Sequence, residues 1–124
     1  MTPAEHRAKA GRIGRSLGRC TPADYESVVE GAMLEACHWI NAALHALGAT
    51  APAKDFMHPY FITPEERRDY DRILGPEVLR AYEEIEDYRP FFVRGADAGG
   101  DKIAARALEL LALIRDKTRR LAPG

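Results

Sequence analysis

The side chains best suited to chemistry in this chain are its four histidines, two of which share a predicted helix with a nearby carboxylate. Glu35-Ala-Cys-His38 is a Glu-x-x-His pattern, which on a helix sets carboxylate and imidazole on neighbouring turns, as in carboxylate-bridged di-iron bundles. A complete site of that kind takes two such motifs and two further glutamates on facing helices, and this chain has one motif. His38 and His45, with Glu30 or Asn41 and with His58 from the following loop, form a second grouping suited to a mononuclear metal or to acid–base work. Seven residues of helix span about 10.5 Å, too far for His38 and His45 to ligate one ion. Both are therefore read as exposed or hydrogen-bonded surface histidines, with no metal and no cofactor expected. Glu35, His38 and His58 are the catalytic candidates that remain.

Other chemistries lack their context. Ser16 and Ser27 are the only serines, and neither sits in a Gly-x-Ser-x-Gly elbow. The glycines at 11 and 14 and at 95, 99 and 100 follow no predicted strand, so neither a dinucleotide fingerprint nor a phosphate loop is supported. Gly99-Gly100 precedes a helix start that could attract an anion, but Asp97 and Asp101 flank it. Cys20 and Cys37 show no zinc spacing and lie several helical turns apart, so both read as free structural thiols.

The elements that must position these residues are helical. From Tyr25 to Leu47 the apolar residues Tyr25, Val29, Ala32, Met33, Ala36, Ile40, Ala43, Leu44 and Leu47 recur at helical spacing. This predicts a long central helix over about 22–48, with Ser27, Glu30, Leu34, His38, Asn41 and His45 on its weakly polar side. Thr21-Pro22-Ala23-Asp24 reads as its start and Gly48 as its stop. Thr2-Pro3-Ala4-Glu5 starts an earlier helix that Gly11, Gly14 and Gly18 weaken, so residues 1–20 are expected to form a mobile N-terminal helix. Residues 49–63 are too rich in proline for a helix and are expected to wrap the surface, tucking Phe56, Tyr60, Phe61 and Ile62 against the bundle. A third helix starts at Thr63-Pro64, and Gly75-Pro76 breaks it or begins another that runs to about Tyr88. Its apolar face is Val78, Leu79, Tyr82, Ile85 and Tyr88. A last helix from about Asp101 to Arg120 carries Ile103, Ala107, Leu110, Leu111 and Ile114 on one face. Pro59–Ile62 and Phe91–Val93 are extended or turn segments too short to build a sheet. The expectation is an all-α, single-domain bundle of four to five helices spanning residues 1–124.

Composition is that of an ordinary soluble domain, 46% hydrophobic and 30% charged. No apolar run reaches the roughly 20 residues that cross a bilayer, and the basic N-terminus has no apolar region of a secretory signal. Cytoplasmic residence without membrane contact is the expectation. The net charge of −1 hides an uneven distribution. Arg7, Lys9, Arg12, Arg15 and Arg19 make the start basic, and Arg115, Lys117, Arg119 and Arg120 make the end basic, whereas the 64–88 region is acidic. Packed side by side, the two ends would present a positive face to phosphate groups; the plainer reading is that they neutralise the acidic helix. No aromatic residue interleaves the N-terminal cluster as a base-stacking platform would require.

Several segments together resemble the HEPN family, the higher eukaryotes and prokaryotes nucleotide-binding domain. They are the helix Tyr25-Glu-Ser-Val-Val-Glu-Gly-Ala-Met, its end His38-Trp-Ile-Asn-Ala-Ala-Leu-His-Ala-Leu-Gly, a loop carrying His58, an acidic helix, and Tyr88-Arg-Pro-Phe-Phe-Val before a last helix. The likeness covers residues 22–120 in element order and implies a small helical bundle that dimerises. Catalytic members of that family carry an Arg followed after four to six residues by a His, and no Arg here has a His at that spacing. The resemblance therefore implies a non-catalytic interaction module acting as a homodimer, with Leu34, His38 and Trp39 near the contact. It also implies, as an alternative, a nucleotide- or RNA-binding component of a toxin–antitoxin-like system, with Arg89 and Arg94 as anion contacts. Against that, Arg89 could simply cap its helix and pair with Glu86 or Asp87. The remaining alternative is a metal-dependent enzyme centred on Glu35 and His38. The expected partners are a second copy of the chain, then a partner protein, then nucleotide or RNA.

Overall fold

Thr2 caps the first helix as its sequence predicts: its hydroxyl accepts from the Glu5 amide at 3.2 Å, and its own amide donates to the Glu5 carboxylate at 2.7 Å. In the computed structural model, which describes residues 1–124, this reciprocal cap begins α1 (Pro3–Leu17). α2 (Tyr25–Ala46), α3 (Pro64–Leu74), α4 (Pro76–Tyr88) and α5 (Gly100–Leu121) follow, with no strand. The architecture is an all-helical bundle in which α2 is central, packed between α1 and α5, with α4 against α5 and α2. No helix is long and apolar enough to cross a membrane.

The first helix, expected to be mobile, lies docked against α2. His6, Ala10 and Leu17 are buried on the side facing α2. The glycines that lower its helix propensity serve the packing. A Cβ at Gly14 would stand 2.9 Å from Glu35 Oε1, and one at Gly31 of α2 would stand 2.6 Å from Leu17 Cδ2, so the bare positions let the two helices close on each other.

α2 begins later than expected. Thr21-Pro22-Ala23-Asp24 folds as a turn of its own, in which the Thr21 amide donates to Asp24 Oδ2 at 2.9 Å, and the helix starts at Tyr25. Gly48, at φ 74°, ends it in the left-handed region as the sequence requires. Its buried set is wider than the predicted stripe. Val28, Glu35, Trp39, Asn41, Ala42 and His45 are also enclosed, because the 47–63 segment crosses over one flank while α1 and α5 cover the other. Leu47 is exposed.

Thr63 caps α3 with Glu66 in the same reciprocal way, and Gly75, at φ 90°, turns directly into Pro76 of α4. Val78, Leu79, Tyr82 and Ile85 face the core as expected. The two segments read as extended or turn both become helical turns: Pro59–Phe61 is a short 3-10 turn, and Arg89–Val93 continues α4 as one π-type turn. Phe56 is buried, but Tyr60 and Phe61 are 69% and 71% exposed, so only part of the aromatic cluster tucks against the bundle.

Candidate functional site

The crossing segment and two helices bring two histidines to one carboxylate and a third against the first of them. Asn41 starts the arrangement: its amide nitrogen donates to the Phe56 carbonyl at 2.6 Å, and its oxygen accepts from the Phe56 amide at 2.6 Å. This two-point clamp fixes the peptide next to Asp55 and holds that carboxylate against α2. His45 Nε2 lies 2.8 Å and His6 Nε2 3.0 Å from the same oxygen, Asp55 Oδ1. The far nitrogens are also engaged, His6 Nδ1 with His38 Nδ1 at 2.9 Å and His45 Nδ1 with Thr50 Oγ1 at 2.6 Å. The Met1 ammonium is 3.5 Å from Asp55 Oδ1 and donates to the Pro52 carbonyl at 2.6 Å.

One proton arrangement satisfies the whole chain of contacts with Asp55 ionised and the rings neutral. His6 and His45 donate Nε2–H to Asp55, and their Nδ1 atoms accept from His38 Nδ1–H and from the Thr50 hydroxyl. The electrostatics agree. Burial pushes the Asp55 carboxyl up, but the hydrogen bonds from His45 and His6 outweigh it and hold the group at about 2. Burial lowers His6 below the ordinary histidine range, with Asp55 opposing, and lowers His38, with repulsion from His6 and Lys9 adding. His6 and His38 are thus favoured as neutral donors and acceptors.

Beside this network, α2, α4 and the 55–58 segment border an open cavity of about 260 Å³. Met33, Phe56 and Tyr82 give it an apolar lining, and His6, His38 and Asp55 lie in its wall. His58 and Arg89 also line it. His58 Nδ1 contacts Glu86 Oε1 at 2.8 Å and its ring stacks on Tyr60, while Tyr82 donates its hydroxyl to the Met57 carbonyl at 2.8 Å. Burial raises both the Tyr82 phenol and the Cys37 thiol, the latter to about 11.

The predicted site residues therefore separate. His38, His58 and Arg89 share the cavity. Arg89 donates from Nε to Glu30 at 2.8 Å, across to α2 instead of to Glu86 or Asp87 on its own helix. Arg94 is exposed and forms no ion pair. Glu35 does not join His38. Its Oε2 accepts from Trp39 Nε1 at 2.8 Å with Arg115 3.6 Å away, and its Oε1 is buried without a partner. Trp39 accordingly faces away from Leu34, under the guanidinium of Arg119. A second cavity, of about 670 Å³, has Trp39, Arg7, Arg119 and Arg120 in its lining, so the two basic ends do meet, with an aromatic residue between them.

Sequence reasoning missed His6 and Asp55, and it read His45 as a surface group. A signal for His6 existed: His6, Ala10, Ile13 and Leu17 recur at helical spacing, which places His6 on the buried face of its helix. Asp55 had none, because its place depends on the Asn41 clamp across 15 residues of chain. No known protein family, no curated protein and no solved structure matches this chain.

Proposed function

We propose that this protein binds a small, partly apolar organic ligand in the 260 Å³ cavity and uses the His38–His6–Asp55 relay in its wall as an acid–base group. The observation that carries the reading is the convergence of His6 and His45 on one oxygen of Asp55 at 3.0 and 2.8 Å, beside an apolar cavity. Apolar walls with a few convergent polar groups are the usual make-up of a ligand site, and neutral histidines on a carboxylate can pass a proton in either direction. Saturation-transfer NMR of the purified protein with a fragment library tests it. Leu34 lies at the cavity edge and is 46% exposed, so Leu34→Trp fills the mouth without emptying the core. Fragments should bind the natural protein, move the His38 ring signals and fail on the Leu34→Trp variant. Hits that ignore the variant would sink the reading.

A second reading is supported by the exposed apolar side chains Leu34, Met57, Tyr60 and Phe61 around the same flank. It is the HEPN-like interaction module, a homodimer closing over that flank. Trp39, expected at the contact, lies on the other side of α2, so Leu34 and Phe61 would carry it. Light scattering in line with size exclusion should give a dimer that Phe61→Ser together with Leu34→Ser converts to a monomer. A monomer in the natural protein ends this reading.

A further inference from the structure

We infer that His6, His45 and Asp55 form a mononuclear site for a divalent transition cation, zinc being the best match, with its open position toward the cavity. Their ligating atoms all lie within 4.8 Å of one another, and two of the three separations are 3.0 and 2.8 Å. Around a tetrahedral ion with bonds of roughly 2.0–2.1 Å, ligand atoms stand about 3.3 Å apart, so to admit the ion the two carboxylate–imidazole contacts lengthen slightly and the two imidazole nitrogens, which lie within 4.8 Å of each other, settle at that spacing. Two imidazoles and a carboxylate without thiolate are a donor set for zinc, cobalt or ferrous iron, and three protein ligands leave a position for water or substrate.

The surroundings are those of a metal site. Metal-bound histidines are normally oriented through their second nitrogen, and here both second nitrogens are already held, by His38 and by Thr50. Ligation leaves each imidazole neutral with one proton. The proton of His6 moves from Nε2 to Nδ1 and is donated to His38 Nδ1, whose own proton shifts from Nδ1 to Nε2; His45 likewise donates Nδ1–H to Thr50. The two outer hydrogen bonds reverse direction, and no proton is gained or lost. His6 and His45 are buried, and the Asn41 clamp fixes the third ligand, so little ordering remains to be done on binding. The Met1 ammonium beside Asp55 is a partly exposed single charge that a divalent ion at the same oxygen displaces.

The ion itself needs only the three ligands; its open position rests on the cavity being the working site, since His6 and Asp55 line that cavity. The test is calorimetric titration of chelator-treated protein with zinc chloride, together with the visible spectrum of the cobalt-loaded protein. One zinc per chain is expected, with a raised melting midpoint and cobalt bands of tetrahedral type. Asp55→Asn and His45→Gln should each weaken zinc binding by more than about a hundredfold, and His38→Ala, an orienting change, by about tenfold. Each variant's melting curve without metal shows that it is folded. Absence of stoichiometric zinc binding, or equal affinity in folded Asp55→Asn and His45→Gln, overturns the inference. Fragment binding by chelator-treated protein that takes up no zinc would overturn this inference alone and leave the ligand cavity standing. Zinc uptake with no fragment sensitive to Leu34→Trp would do the reverse.

Discussion

Glu35 is carried by α2 and Asp55 is held against it, the first with its side chain 2% exposed and the second 33%. Glu35 is packed in by a glycine of α1 and an indole. Its Oε1 is orphaned beside Gly14, and the arginine 3.6 Å away stands at the other oxygen, Oε2. Asp55 is less enclosed, yet a single oxygen receives two imidazoles whose far nitrogens are both anchored, and the group opens on a cavity. Burial alone does not mark a site. What separates the two is whether the neighbours can exchange a proton or an ion, and that depends on partners which titrate and on a route to a ligand.

The largest difference should appear in stability. Glu35→Ala removes a buried side chain, leaves a cavity and strands the Trp39 indole N–H, and should cost about 2–4 kcal/mol in urea denaturation. Asp55→Ala acts at a partly solvated position where water can take over the histidine donors, and should cost about 1 kcal/mol. Equal losses would mean that Asp55 is as much a packing element as Glu35.

Acid should sharpen the contrast. His6 and His38 are lowered, so below about pH 6.5 the unfolded chain binds protons that the folded rings resist, and stability falls as pH drops through that value. Asp55 is lowered too, and its contribution, present above the unfolded value, is lost only as pH falls toward about 2. The groups facing His6 are His38, His45, Asp55 and the Met1 ammonium. Denaturation midpoints of chelator-treated protein should decline from about pH 7.5 to about pH 5.5, across the unfolded histidine value of about 6.5. The decline should be shallower in His6→Gln. A flat profile would show that the rings are solvated.

How much of this was legible in the sequence differs between the same two regions. The faces of α4 and α5, the Thr2 and Thr63 caps and the Gly75-Pro76 break depend on residues within a few positions of each other, and local rules find them. The face of α2 was half legible. Ile40 and Leu44 lie where periodicity puts them, but Asn41 and His45 look polar and are buried, because a proline-rich crossing segment covers them and supplies their partners. Glu35 and His38 share a motif but face different neighbours. His6 and Asp55 are 49 residues apart, and no spacing rule joins them.

A smaller effect tests whether His38 orients or supports. It is half-buried and contacts His6 through one nitrogen, so His38→Ala should cost less than about 1 kcal/mol and leave unfolding cooperative. A larger loss would place His38 among the packing residues, with Glu35, and remove its role in the relay.

The finest probe of the comparison is chemical. Cys37 Sγ lies 3.4 Å from the Phe56 carbonyl, under the same segment that carries Asp55, and burial holds its thiol at about 11. At pH 8 its thiolate is about a hundredfold scarcer than that of an ordinary cysteine, so iodoacetamide should label it about that much more slowly. Asn41→Ala releases the Phe56 clamp and should speed the labelling by freeing the segment. Glu35→Ala should leave the rate unchanged once corrected for global unfolding, since Glu35 lies against Gly14 and Trp39 on the other flank. If both substitutions speed it alike, the two carboxylates belong to one cooperative unit, and the segment over the cavity has no independent motion with which to admit a ligand.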